Sequence, residues 1–264
     1  MKRYTFSKQV KFRKEQDCIL ICDCKLLRDF KVDLELEGFI KRINCGISKS
    51  EIKGKKENLL FKDFVSMKLL SEIYLKQIPA NDFKLADEFM EKHLYQGKRV
   101  RSYEFLLEKL KENPTLFIAL YLDKEIIGVV QGFPRNNYLL VSEIAVDIRF
   151  KGRKFGSQLL REFEKNAKKD GHKIIKLGAR DGATNFYLSN GYFPSLYIQV
   201  SIDQEETIIK KLNQDKESIK NVSHVNNITG IEIAVKDCNP QLLSQVNKEF
   251  NPISAQFLFT KNIA

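Results

Sequence analysis

The sequence predicts a mixed α/β fold, one sheet with helices, preceded by a small α+β unit and followed by a small α+β extension. Three observations carry the prediction. Between residues 73 and 202, apolar strand-like runs alternate with helix-like runs whose apolar residues recur every three or four positions. Residues 11–70 place strand-like runs ahead of a compact group of helices. From Asp203 the composition turns to Gln, Asn, Lys and Glu, then yields a strand–helix–strand set. The expected division is 1–72, 73–202 and 203–264, in keeping with a 264-residue chain that is too long for one small domain.

The elements read as follows. KFRKEQDCILICD and KLLRDFKVD are two strands within residues 11–33. Cys18, Cys22 and Cys24 share parity with Leu20, so they are expected on one face as small buried thiols. Leu34, Leu36, Phe39, Ile40 and Ile43 have helical spacing, with Gly46 as the stop. Ser48 and Glu51 have the spacing of a capping box for a short second helix. A third helix turns Leu60, Phe64 and Met67 or Leu69 inward.

A strand from Ile73 to Ile78 opens the central unit, and Pro79–Asp82 turns into a helix with Leu85 and Phe89 on its inner side. A second helix over 102–113 turns Phe105, Leu106 and Leu110 inward. TLFIALYLDKEIIGVVQGF is a hairpin around an Asp-Lys turn, and YLLVSEIAV (138–146) is a third strand. A helix with Leu159, Leu160, Phe163 and Ala167 in its stripe runs to Gly171. The strand KIIKLGA, a short helix ended by Gly191 and the strand YFPSLYIQVSI complete the unit. A helix around EETIIKKLNQ, the strand GIEIAV, a helix after Pro240 and the strand AQFLFT form the extension, either as its own subdomain or as added strands.

Composition narrows the function. Five cysteines, an odd number, argue for free thiols, and no pair of CxxC motifs supports zinc. No apolar run approaches the roughly 18–20 residues of a membrane helix. MKRYTFSKQVKFRKEQ lacks a hydrophobic signal segment, so a soluble cytoplasmic protein is expected. The charge of +11 permits nucleic acid or an anionic small ligand, but 34 acidic residues are mixed among 45 basic ones and no helix carries a purely basic stripe.

The segment IRFKGRKFGSQLL (148–160) follows a strand directly and feeds a helix. Unpaired amides and the positive dipole end of that helix suit a phosphate, and Gly152 and Gly156 let the backbone approach it. Lys151, Arg153 and Lys154 add charge, and Ser157 can cap or donate. Neither the GxxxxGK[ST] loop nor GxGxxG is present.

With EIAV (143–146) before it and ATNFYLSNGY (183–192) after it, this loop resembles the GNAT superfamily of acyl-CoA-dependent N-acetyltransferases, over about residues 72–202. The resemblance implies acetyl-CoA as acyl donor, no metal, and a primary amine on a small molecule, peptide or protein as acceptor. It implies backbone contacts from Ile144, Ala145 and Val146 to the pantetheine arm. It also implies a pyrophosphate held by Lys151, Gly152, Arg153, Lys154, Phe155, Gly156 and Ser157. Tyr187 takes the family's general-acid position, or packs against the sheet as Phe186 does. Glu143 is the candidate base, or a strand residue facing solvent, and His93 lies where the acceptor pocket is commonly shaped. Three positions depart from the family pattern: Lys151 replaces Gln or Arg, Lys154 replaces a glycine, and Arg180 replaces an asparagine. Residues 9–70 resemble PqqD-like winged-helix modules. A CoA-ester-binding regulator and a nucleic-acid-binding protein remain alternatives.

Overall fold

The structure, a computed structural model, describes residues 2–95, 97, 99–179, 182–214 and 219–264. Two compact units are distinguished, Met1–Phe133 with Ser142–Asn166, and Pro134–Val141 with Ala167–Ala264.

The first unit contains β1 (Arg3–Phe6), β2 (Val10–Lys14), β3 (Cys18–Asp23), β4 (Arg28–Asp33), α1 (Glu37–Asn44), β5 (Ile47–Ser48), α2 (Gly54–Ser66) and β6 (Leu70–Gln77). It continues with α3 (Phe83–Met90), α4 (Tyr103–Glu112), β7 (Phe117–Leu122) and β8 (Glu125–Arg135). It also takes the second half of β9 (Tyr138–Val146) and most of α5 (Phe155–Lys169). Strands β2, β3 and β4 form an antiparallel meander, so the first expected strand is in fact a hairpin. The larger sheet runs β5–β1–β6–β7–β8–β9.

A core of Phe6, Ile19, Ile21, Phe39, Ile40, Ile43, Phe61 and Phe64 joins the meander to α1 and α2. In β3 the inward face belongs to Ile19, Ile21 and Asp23, while Cys22 is half-buried and Cys24 exposed. The thiol parity therefore marks the outer face, because two isoleucines bury more apolar area than two cysteines; Cys18 alone of the three is buried. Asp23 accepts from the amides of Lys25 and Leu26 and from Arg28, which closes the turn into β4.

The winged-helix resemblance finds no support. β1 pairs with both β5 and β6, so residues 3–6 and 47–48 belong to the larger sheet. The expected second helix is a single 3₁₀ turn, Lys49–Glu51, with the Ser48/Glu51 capping box formed. Leu85 is 59% exposed, and the buried stripe of α3 is Phe83, Ala86, Phe89 and Met90. A π-helical segment, Glu91–Tyr95, then extends the helix and buries Tyr95.

The second unit holds the first half of β9, then β10 (Ile174–Gly178), α6 (Thr184–Ser189), β11 (Phe193–Ser201) and α7 (Glu205–Gln214). β12 (Ile219–Val225), β13 (Ile228–Ala234), α8 (Pro240–Phe250) and β14 (Ser254–Asn262) follow. Its strand order is β9–β10–β14–β11–β13–β12, with β10 parallel to β9 and the other pairs antiparallel. The extension thus adds strands to the sheet, and β14 enters between β10 and β11. Leu196, Ile198, Val200, Ile231 and Ile233 pack with Ile208 and Leu212 of α7 and Val246 of α8. No described helix is long and apolar enough to cross a membrane.

Candidate active site

β9 alternates half-buried and buried positions, and Glu143 falls on the buried phase with Leu139, Val141 and Ala145. It is 7% exposed. A carboxylate there needs partners, and three donors supply them. Arg101 Nη1 lies 2.8 Å from one oxygen, Gln131 Nε2 lies 2.9 Å from the other, and the Ser142 hydroxyl bonds the same oxygen as Gln131. Glu143 is therefore not a solvent-facing strand residue. Arg101 stands just before Ser102, the N-cap of α4, and its guanidinium also lies over the Phe133 ring. Among the described residues the buried Gln131 Oε1 has no hydrogen-bond partner. Burial raises the pKa of the Tyr95 phenol, and the Glu143 charge adds to that rise.

At the end of β9, Asp147 caps the 3₁₀ turn Ile148–Phe150 by accepting from Arg149 N at 2.9 Å. Burial pushes its carboxyl up, but the bonds from Arg149 outweigh this and hold it below the usual carboxylate range. His93 lies on the π-helical segment and is half-buried. Its ring packs tilted against Phe89, with centroids 4.4 Å apart, and Nε2 lies 4.0 Å from Asp147 Oδ2. Burial holds the imidazole below the usual histidine range, against the pull of Asp147.

The loop that follows has two residues in the left-handed region, Gly152 at φ +82° and Lys154 at φ +58°. Glycine is the usual occupant of such a turn, so lysine at 154 departs from the family pattern at a position whose backbone favours glycine. Gln158 N donates to Lys154 O at 3.1 Å, the first i→i−4 bond of α5. An α-helix leaves the amides ahead of that bond, here Phe155, Gly156 and Ser157, without intrahelical acceptors. Among the described residues, chain neighbours aside, no heavy atom lies within 4 Å of where a Gly152 Cβ would stand, so the chain faces open space at Gly152.

Lys151 and Lys154 are exposed, and among the described residues no carboxylate pairs with either. Arg153 behaves differently. It is 6% exposed, donates from Nη1 to Phe6 O at 2.9 Å and lies over the Phe150 ring. Its guanidinium ties the loop to β1 and is not available to a phosphate. Arg180 lies outside the described residues.

Ile144, Ala145 and Val146 end β9, while its parallel ladder with β10 is registered earlier, at Leu139–Ile175 and Leu140–Lys176. In the second unit, Tyr187 is 6% exposed on α6. Its ring meets Phe186, Tyr192 and Phe259 at 5.0, 6.1 and 5.3 Å, and burial pushes its pKa up to about 12. Among the described residues no group of three or more His, Cys, Asp or Glu side chains is placed to hold a metal.

The element order from β6 to β11 is strand, two helices, three strands, helix, strand, helix, strand, as expected. Over residues 82–192 the sequence matches the model of the acetyltransferase (GNAT) family. This segment is a GNAT acetyltransferase domain. Among solved structures, the chain is similar to a GNAT acetyltransferase from Elizabethkingia anophelis with acetyl-CoA bound, at 16% identity, 72% and 97% coverage of the two chains and TM-score 0.39. It is similar to the Drosophila melanogaster polyamine N-acetyltransferase at 11% identity, 62% and 100% coverage and TM-score 0.39. It is also similar to Ard1 from Thermoplasma volcanium, at 15% identity, 62% and 99% coverage and TM-score 0.35. No curated protein matches the chain.

Sequence reasoning missed Arg101, Gln131 and Ser142 in this GNAT domain. The signal was present in YLLVSEIAV, whose alternation places Glu143 in phase with Leu139 and Val141. A carboxylate on a buried phase calls for a cation and amide donors nearby.

Proposed function

We propose that the chain is a cytoplasmic N-acetyltransferase that moves an acetyl group from acetyl-CoA to a primary amine of a small molecule, peptide or protein. The observation that carries this reading is the loop after β9. Its left-handed residues, Gly152 facing open space and Lys154 exposed, lead into the first amides of α5, which have no intrahelical acceptors. Such a turn suits a pyrophosphate, and the family match covers it. Residues 1–72 and 203–264 act as accessory segments.

The amine nitrogen attacks the thioester carbonyl carbon, an N–C bond forms, and the C–S bond breaks to release a thiolate. The reaction needs a deprotonated amine, a stabilised oxyanion and a proton for sulfur. Amides of Gly152, Lys154, Phe155, Gly156 and Ser157, with the Lys151 and Lys154 side chains, hold the pyrophosphate, and Arg153 braces the loop from behind. Backbone groups of Ile144, Ala145 and Val146, beyond the registered ladder to β10, take the pantetheine arm and the carbonyl oxygen. Glu143, fixed by Arg101, Gln131 and Ser142, accepts the amine's proton through water. Tyr187 gives a proton to the thiolate, and a phenol with a pKa near 12 still carries that proton at neutral pH.

Titration calorimetry with acetyl-CoA, then free-thiol release over a panel of amines, tests the reading. Binding and amine-dependent thiol release are expected, with kcat lowered about 100-fold or more in Tyr187→Phe. Absence of binding at high micromolar acetyl-CoA overturns it. Lysine at position 154 favours a second reading, a CoA-ester sensor without turnover, and binding with no thiol release for any amine would select it.

A further inference from the structure

Beside the loop, a cavity of about 460 Å³ opens between helix α5 and the N-terminal segment, within the first unit. Five of its lining side chains are cations, Arg3, Arg42, Lys154, Arg161 and Lys165, against two carboxylates, Glu51 and Glu162. Arg3 reaches Gly46 O at 2.5 Å and Glu51 at 2.9 Å, Arg42 reaches Glu57 at 2.5 Å, and Lys165 reaches Glu162 at 2.9 Å. These bonds leave charge over. Among the described residues no carboxylate pairs with Lys154 or Arg161, and both are exposed at the cavity. Among the described residues no acceptor meets the buried Nε atoms of Arg3 and Arg42.

Those Nε atoms are closed off from solvent, but the Arg3 and Arg42 side chains are 35% and 36% exposed, so their Nη groups can donate to a molecule in the cavity. Guanidinium groups match the oxygens of a phosphate, and an excess of cations raises the local anion concentration. The volume falls in the range of small-molecule sites and exceeds what a bare ion needs. We propose that this cavity binds a phosphate monoester group carried on a small organic molecule. Arg3 and Arg42 supply the inner donors, and Lys154 and Arg161 supply the outer charge. Two sources share this chemistry. One is the 3′-phosphate end of the acyl donor, which rests on the acetyltransferase reading, because Lys154 belongs to both the loop and the cavity. The other is a separate phosphorylated ligand.

The test uses the full chain, with CoA, 3′-dephospho-CoA and inorganic phosphate as probes. Arg161→Glu, an exposed change on α5, and Arg42→Gln are compared with the parent. If the donor's 3′-phosphate is the ligand, CoA binds about tenfold or more tightly than 3′-dephospho-CoA. Both variants then lose that preference, while 3′-dephospho-CoA binding stays within about twofold. If the phosphate comes from elsewhere, the two CoA forms bind alike. Inorganic phosphate then raises the melting temperature above chloride at equal ionic strength in the parent and not in the variants. Equal CoA affinities together with no phosphate-specific stabilisation overturn the proposal, as does a phosphate effect unchanged in both variants. Failure of both CoA forms to bind strikes the acetyltransferase reading instead, and the phosphate arm still decides the cavity.

Discussion

Lys154→Gly isolates the one residue of the loop that departs from the family pattern in backbone as well as charge. Lys154 sits at φ +58° immediately ahead of α5. A left-handed L-residue costs about 1–2 kcal/mol, and glycine removes that cost while adding about 0.4–1 kcal/mol of unfolded-state entropy. A cation at a helix N-terminus is unfavourable by about 0.3–1 kcal/mol, and both glycine and alanine remove it. Comparing Lys154→Gly with Lys154→Ala therefore cancels the charge and leaves the backbone. Glycine is expected to be the more stable of the two by about 0.5–1 kcal/mol, or roughly 1–4 °C in melting temperature for a chain of this size. Urea unfolding at pH 7 with a common m-value measures the difference. Equal stabilities, or a more stable alanine variant, would refute the claim that this turn demands a left-handed residue.

Arg101→Ala leaves the buried Glu143 carboxylate with only neutral donors, so a loss of about 1–3 kcal/mol in urea unfolding is expected; a change below about 0.5 kcal/mol would show that the bridge carries no weight. Arg153→Met removes the 2.9 Å bond to Phe6 O, at an expected cost of about 1–3 kcal/mol, and faster amide exchange at residues 6–7 than in the parent is the accompanying sign. A Cβ at Gly230 would stand 2.1 Å from Tyr197 Oη and 2.9 Å from Ser223 Oγ. Gly230→Ala is expected to cost about 1–3 kcal/mol, and Tyr197→Ala in the same chain to return part of it; strict additivity would contradict the clash. Burial pushes the Glu232 carboxyl up, but bonds from Lys176 at 2.6 Å and Ser195 at 2.7 Å hold it below its ordinary 4.5. Its contribution is thus present above pH 4.5 and lost as pH falls below that value. In Lys176→Met, burial dominates and the sign reverses, so the melting-temperature deficit relative to the parent should widen from pH 4 to pH 6. A deficit that does not change with pH would exclude the coupling.

The helices were legible wherever a long apolar stripe met a stop, as in α5, with Leu159, Leu160, Phe163 and Ala167 inside and Gly171 at its end. α3 was misread at Leu85, because the chain enters from a 3₁₀ turn and leaves into a π-helical segment, and both shift the phase that a fixed 3.6 period assumes. The cysteine parity in β3 and the solvent-facing alternative for Glu143 in β9 failed for a common reason. Alternation identifies two faces and leaves open which one is buried, and that choice falls to the larger apolar side chains. β1 could not be read at all. Four residues, RYTF, carry no period, and the strand exists because β5 and β6 flank it on both sides.

That pairing sets the N-terminal segment beside the loop. A phosphate loop gains from rigid support, because amides aimed in advance need not be ordered when the ligand arrives. Arg153 anchors this loop to Phe6 O, and Gln158, one turn into α5, donates to Cys45 O at 2.7 Å. Two bonds more than 100 residues apart in sequence thus join β1 and the end of α1 to the loop and the start of α5. The same juncture carries the cavity lined by Arg3, Arg42, Lys154 and Arg161. A basic residue on the family's loop pattern, Arg153, serves as a brace, while cations outside that pattern, Arg3 and Arg42, line the cavity beside it. The N-terminal segment thus contacts the loop directly, and substitutions at Phe6 that shift its carbonyl should change ligand affinity without touching the ligand.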